Sequence, residues 1–262
     1  MSENEYDYDE NWDVYPSPVD GDKIGLFFVD LGLIEIAPIE DRPNLVSLKL
    51  KILRPGEDGL PDKSESQTLN DIEDALATTM ASKFGGLYAG RVTMEGVRTF
   101  FFYLGAKTTG YDKAVAGAMA VFPDYAFDHL LQEDPEWDCY LNFLYPEPVQ
   151  FQSMQNRRVV FQLSQHGDPL TAARPVEHWI HFKTESGREA YWNVINAQGF
   201  ELVEMSKYEE EDEYPYRLRI VREDKVDYDS VDEYVLPLWS LAIEHDGDYD
   251  GWETSIVQGK ET

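Results

Sequence analysis

The sequence predicts an α+β protein built from two ferredoxin-like domains, each with an antiparallel sheet and the element order βαββαβ, the first preceded by a β-hairpin. Three observations carry this expectation. Alternating apolar runs of strand length recur in both halves, apolar residues at helical spacing lie between them, and turn residues separate them in the same order twice. Residues 45–144 and 175–257 each read as strand, helix, strand, strand, helix, strand. The repeat is one of element order and not of residues, so by itself it says nothing of activity.

Residues 1–11 are acidic and polar and read as a flexible tail. Trp12 opens an alternating stretch that turns at Asp20-Gly21-Asp22 and returns through Ile24 to Val29, a hairpin. Two prolines make Pro38 to Pro43 a connector. Leu48, Leu50 and Ile52 share one face of the first repeat strand. Leu69, Ile72, Leu76, Met80 and Phe84 recur at helical spacing until Gly85-Gly86. Leu87–Met94 and Val97–Leu104 flank the turn dipeptide Glu95-Gly96. Tyr111 to Phe122 is helical, and Trp137 to Leu144 is expected as the last strand of the copy. Pro146 and Pro148 mark a boundary, which divides the chain into a domain at 12–148 and a second at 149–262.

The second half opens with a helix from about Phe151 to Gln165, ended by Gly167. Arg157 and Arg158 on it are expected to bridge to acidic residues and help dock the two domains. Pro175–Lys183 is a strand, Ser186–Ala197 a helix closed by Gly199, and Phe200–Tyr208 and Tyr214–Arg222 a pair of strands. Val226 to His245 is helical with Val231, Tyr234, Leu238, Leu241 and Ala242 inward. Pro237 predicts a kink or two short helices. Tyr249–Val257 closes the sheet.

Charge narrows the function classes. Fifty-one acidic residues against twenty-two basic ones give a formal −29, a field that repels nucleic-acid phosphates and anionic membranes and attracts basic partners. General solubility or adaptation to salt explains the same charge equally well. There is no apolar run of membrane-spanning length and no signal-peptide pattern at the N-terminus, and the lone Cys139 fits a reducing cytoplasm.

Chemistry finds little support. Asp246, Asp248, Asp250 and Gly251 follow the start of an EF-hand loop, but Val257 stands where the bidentate Glu belongs. His178 and His181 fall on opposite sides of a strand, and no zinc pattern accompanies them. Cys139 reads as a core thiol. No nucleophile elbow, Walker or Rossmann motif occurs. No catalytic residue, metal site or cofactor is therefore expected. The sharpest feature is the run Glu209, Glu210, Glu211, Asp212 and Glu213, either a solvated hairpin tip or a docking site for Lys and Arg. Exposed ion pairs contribute only about 0.2–1 kcal/mol each, so docking there needs many pairs or an apolar anchor.

Two resemblances follow. From Trp12 to about Pro148 the chain resembles the domain-of-unknown-function family 695. The carrying segments are Phe28-Val29-Asp30-Leu31-Gly32, Asp41-Arg42-Pro43, Asn70-Asp71-Ile72-Glu73-Asp74, Tyr88-Ala89-Gly90-Arg91 and Asp134-Pro135-Glu136-Trp137. Residues 155–257 resemble the RraB family through His178-Trp179-Ile180-His181-Phe182, Gly199-Phe200-Glu201-Leu202 and Tyr249-Asp250-Gly251-Trp252-Glu253-Thr254. That second resemblance implies a ferredoxin-like regulator that inhibits ribonuclease E by binding it rather than by cutting RNA. Two departures stand out: an additional N-terminal domain, and Pro237 inside the second helix.

The expected function is an acidic, cytoplasmic, non-enzymatic regulator that binds a basic segment of an RNA-degrading enzyme and makes no direct contact with nucleic acid or membrane. Its candidate contacts are Glu209 to Glu213, with Asp250 and Trp252. The rival readings are a metal-dependent hydrolase with clustered carboxylates and a self-associating, homodimeric module.

Overall fold

The computed structural model describes residues 6–20, 23–208 and 213–258. The chain divides into two units, Met1–Glu147 and Pro148–Thr262.

In the first unit, β1 (Trp12–Asp20) and β2 (Lys23–Asp30) form the expected hairpin. Then follow β3 (Asn44–Lys51), α1 (Lys63–Phe84), β4 (Leu87–Met94), β5 (Val97–Leu104), α2 (Tyr111–Met119) and β6 (Phe127–Glu133). The six strands run β1-β2-β4-β5-β3-β6, all neighbours antiparallel. Without the hairpin this is the ferredoxin-like order, fourth-first-third-second strand of the repeat. Asp62 caps α1 by accepting the Glu65 N–H at 2.9 Å. Gly85 ends it in the left-handed region (φ 59°), and Gly86 N–H reaches back to Met80 O, a Schellman closure.

Alternation along the strands builds two apolar layers. Val46, Leu48, Leu50, Phe100 and Phe102 face Leu69, Ile72, Leu76 and Met80 of α1. On the other face Phe27, Phe101 and Tyr103 meet the segment expected as a strand at Trp137 to Leu144. That segment is instead a helical turn whose Tyr140–Leu144 portion is a π-helix. Its buried residues Trp137, Tyr140 and Leu144 recur at helical spacing, not at period two. Trp137 stacks on Tyr103 at 3.8 Å and gives its indole N–H to Arg42 O. Tyr140 donates to Asp30 O, and Tyr15 to Leu144 O. Asp134 starts the turn by accepting from the N–H groups of Asp138 and Cys139 and from Tyr103 Oη. The strand that closes the repeat is β6, ten residues earlier in the chain.

In the second unit α3 (Pro148–Gln165) precedes β7 (Arg174–Phe182), α4 (Glu185–Ile195), β8 (Glu201–Lys207), β9 (Tyr216–Asp224), α5 (Val231–Glu244) and β10 (Gly247–Thr254). The sheet order β10-β7-β9-β8 is again ferredoxin-like. Val176, Ile180, Phe182, Leu218 and Ile220 pack against Tyr191 and Ile195 of α4 and Val235 and Leu238 of α5. Val160 and Leu163 of α3 join the same core. Of the kink or two short helices expected at Pro237, the two short helices do not form: α5 is one helix that runs through Pro237, and it starts five residues later than the sequence pattern suggests.

Candidate functional site

The expected contact residues lie on the second unit. Glu209, Glu210, Glu211 and Asp212 fall outside the described residues. Glu213 is exposed, and its Oε1 takes a hydrogen bond from Lys183 Nζ at 2.7 Å, which holds that ammonium pKa above its usual value. Strand register shows at which end of the sheet β8 stops and β9 starts. Tyr216 of β9, Phe182 of β7 and Gly247 of β10 stand in one row. The β8–β9 connection therefore leaves the sheet at the end where β10 begins. At about 4.8 Å per strand, β9 and β10 are roughly 10 Å apart across that row. Glu213, Asp246 and Asp248 thus come to one end of the sheet, with Asp250 farther along β10.

A bulge shapes that edge. The pairing shifts between Tyr249 and Gly251, so Asp250 is the extra residue on β10. Gly251 takes φ 139°, a conformation that glycine accepts freely. The shift turns both Tyr249 and Trp252 inward, three residues apart, and leaves Asp250 exposed. Trp252 is only 7% exposed and belongs to the core, so it is not the exposed anchor that the sequence allowed. Its indole N–H is given to Asn156 Oδ1 at 3.0 Å, and Asn156 Nδ2 donates to Asp232 Oδ1 at 2.7 Å. Ser153 donates to the other Asp232 oxygen. This chain of bonds ties β10 to α3 and to the first turn of α5, where a carboxylate also suits the helix dipole.

Between α3 and β10 lies a groove of about 910 Å³. Phe151, Gln155 and Arg158 of α3 border it, with Asp250 and Glu253 of β10 and Trp179 of β7. Sequence reasoning did not find the groove, although its two acidic members sit in or beside the Tyr-Asp-Gly-Trp segment. Its α3 side follows from a helical stripe, with Phe151, Gln155 and Arg158 at spacings of four and three.

The remaining chemical candidates are structural. His178 is inward on β7 and His181 outward, as period two requires. Tyr249 Oη lies 2.6 Å from His178 Nδ1, while His178 Nε2 is buried without a hydrogen-bond partner among the described residues. Burial, with the Arg222 guanidinium second, pulls the imidazole pKa down to about 3, so the ring is neutral at physiological pH. Cys139 stands in the helical turn after β6, and burial, helped by Asp134, pushes its thiol up to about 12. Asp246, Asp248 and Asp250 lead into a strand and not into the helix that an EF-hand needs. Among the described residues no helix is long and apolar enough to cross a membrane.

Comparison with known proteins agrees with this division. Residues 10–145 match the model of a family of unknown function, DUF695, and residues 153–254 match the model described as regulator of ribonuclease activity B. No curated protein matches the chain. Among solved structures, an unknown protein from Galdieria sulphuraria aligns over 79% of this chain and 96% of its own, at 11% identity and a TM-score of 0.22. A candidate glycine cleavage system transcriptional repressor aligns over 81% of this chain and 98% of its own, at 10% identity and the same TM-score. The DUF695 match spans just over half the sequence, and the chain belongs to that family, with a region like regulator of ribonuclease activity B behind it.

Proposed function

We propose that this protein is a cytoplasmic, non-catalytic regulator of a ribonuclease of the ribonuclease E kind, and that its second unit inhibits the enzyme by binding a basic segment of it. The observation that carries the reading is the match of residues 153–254 to the regulator model, over a complete βαββαβ unit. Electrostatics supply the mode of binding. An RNA-binding stretch of a nuclease is rich in Lys and Arg, and a chain of net charge −29 competes with RNA for it while its own field repels RNA. The docking surface is the exposed acidic residues of the second unit, Glu213, Asp248 and Asp250, continuing to Glu253 at the groove, together with the run Glu209 to Asp212, which lies outside the described residues. Trp252 contributes by fixing β10 against α3.

The test measures binding of the full chain to a Lys/Arg-rich nuclease segment across ionic strength. The expected result is an affinity that falls at least tenfold from about 0.1 M to about 1 M salt, as the screening length shrinks from about 10 Å to about 3 Å. A variant with Glu209, Glu210, Glu211 and Glu213 changed to Gln and Asp212, Asp248 and Asp250 changed to Asn should bind at least tenfold more weakly. Affinity that ignores both salt and these substitutions overturns the electrostatic mode. Failure to inhibit such a nuclease despite tight binding overturns the regulatory role.

A further inference from the structure

The first unit contains a cavity that its family assignment does not explain. The β1–β2 hairpin widens the sheet beyond β4, whereas α1 lies over β4 and β5. Where the helix layer stops, a trough of about 530 Å³ opens. Its floor is the row of side chains that the register sets on the helix-facing side: Leu26 and Phe28 of β2, Arg91 of β4 and Arg98 of β5. Trp12 stands at one side and Asn70 of α1 at the other.

This floor is positive in a strongly acidic protein. Arg91, Arg98 and Glu73 are largely buried together. Glu73 Oε1 takes the Tyr88 hydroxyl at 2.9 Å, and Oε2 takes Arg91 Nε at 2.6 Å. Arg98 Nη1 comes no closer than 3.7 Å to that second oxygen and has no hydrogen-bond acceptor. Arg98 Nε has only a neutral partner, Thr93 Oγ1, at 3.2 Å. Glu65, another buried carboxylate of α1, is engaged by the Leu53 and Arg54 backbone N–H groups. Among the described residues Glu73 is the carboxylate that pairs with both guanidiniums, and Glu65 acts on Arg98 only more weakly. Burial, and then the neighbouring charge of Arg91, bring the Arg98 pKa down to about 10, the sign of an under-compensated cation. The side wall is aromatic: Trp12 stacks on Phe28 at 4.9 Å, and the Arg91 guanidinium lies 4.6 Å from the Phe28 ring centre.

We propose that this trough is a binding site for a small organic monocarboxylate with a flat apolar body, its carboxylate on the Arg91–Arg98 pair and its body against Trp12 and Phe28. The one unaccepted Arg98 Nη1 suits a single carboxylate, and Asp13, which also lines the trough, disfavours a dianion such as a phosphate monoester. The volume suits a small ligand. The proposal concerns the first unit alone and does not depend on the reading of the second.

The test is calorimetric titration of the full chain with phenylacetate, indole-3-acetate and octanoate, each against its neutral amide, with Trp fluorescence as a second readout. The expected result is saturable binding of at least one aromatic acid at low-millimolar concentration or tighter, with its amide at least tenfold weaker. Arg98→Met should remove the preference for acid over amide. Asn70→Phe, an exposed position, should fill the trough and weaken binding at least tenfold even if the Arg98 variant fails to fold. No saturable binding by either aromatic acid, equal binding of acid and amide, or acid binding that survives Asn70→Phe overturns the proposal.

Discussion

Asp168→Asn should destabilise the second unit strongly. Asp168 follows α3, and both its oxygens are taken. Oδ1 accepts from Arg174 Nη2 at 2.9 Å and from the Leu170 N–H at 2.8 Å. Oδ2 accepts from Arg174 Nη1 and from the Val257 N–H at 2.8 Å. Arg174 in turn gives a hydrogen bond to Ser255 O at 2.9 Å, so one ion pair holds the start of β7 and the chain after β10. The side chains are 0% and 4% exposed, and removing the carboxylate charge leaves a buried guanidinium without its counter-ion. Breaking a buried pair in this way costs about 3–5 kcal/mol. That is a large part of the roughly 5–15 kcal/mol that holds a domain together, and for a unit of this size it lowers Tm by about 10–20 °C.

Four of the six tryptophans, Trp179, Trp192, Trp239 and Trp252, lie in the second unit, so fluorescence-detected urea unfolding reports mainly on it. The acid limb supplies a second reading. The Arg174 hydrogen bonds, aided by the two backbone N–H groups, hold the Asp168 carboxyl well below the usual carboxylate range. A depressed pKa means that the unfolded chain binds the proton more readily. The stabilisation is therefore complete above about pH 4 and is lost as pH falls further. Asp168→Asn should flatten that limb. The double variant Asp168→Leu/Arg174→Met, which removes both charges, should recover much of the loss. A cost below about 1 kcal/mol for Asp168→Asn, or a double variant no more stable than the single, refutes the argument.

Three further outcomes follow from the same kind of reasoning. The His178 imidazole should remain neutral down to about pH 4 in a nitrogen-detected NMR titration; a midpoint near 6.5 would mean that the ring is not sealed in the core. Its stability contribution has the sign of a depressed group, so protonation in the unfolded chain weakens the fold below about pH 6.5. Cys139 should react with a disulfide reagent at pH 8 far more slowly than a free thiol and at the free rate once urea unfolds the chain, because only about one thiol in ten thousand is ionised there. Gly90→Ala should cost several kcal/mol, since φ is 146° and a Cβ would stand 2.5 Å from Phe28 O; a folded variant within about 1 kcal/mol of the parent would contradict the β2–β4 approach.

The sequence shows its fold wherever one face of an element is fully buried. The face Leu48, Leu50, Ile52 and the stripe Leu69, Ile72, Leu76, Met80 are inside as their periods require. It misleads where burial is only partial or where packing overrides the local pattern. β6 is an edge strand with Leu130 58% exposed, and Phe127-Asp128-His129-Leu130-Leu131 presents no clean alternation. The aromatic-rich Trp137–Leu144 took its place in the reading because a short apolar run suits strand or helix equally, and only the spacing of Trp137, Tyr140 and Leu144 tells them apart. Pro237 predicted a kink or two short helices because the lost backbone hydrogen bond is visible in sequence, whereas the packing of Val235 and Leu238 that holds one helix through it is not. Of the candidate contacts, Asp250 and Trp252 were named from sequence, but which of them faces inward depends on a bulge, and a bulge depends on register.

The two copies of one element order present different surfaces because their sheets are bordered differently. In the second unit β10 is an edge strand, and its bulge leaves Asp248 and Asp250 exposed along it. In the first unit the corresponding helix layer is the same, but the sheet goes on for two more strands beyond it. The step between a two-helix cover and a six-strand floor is what makes a concave, aromatic, cationic trough. Exposed like charge suits salt-dependent recognition, while concavity with a buried under-compensated cation suits a small anion. The hairpin that precedes the first repeat, which reads in the sequence as a mere prefix, is therefore the element that distinguishes the two halves chemically. Removing Trp12–Asp30 would take away the trough's Trp12–Phe28 wall while leaving all four strands of the ferredoxin-like order in place.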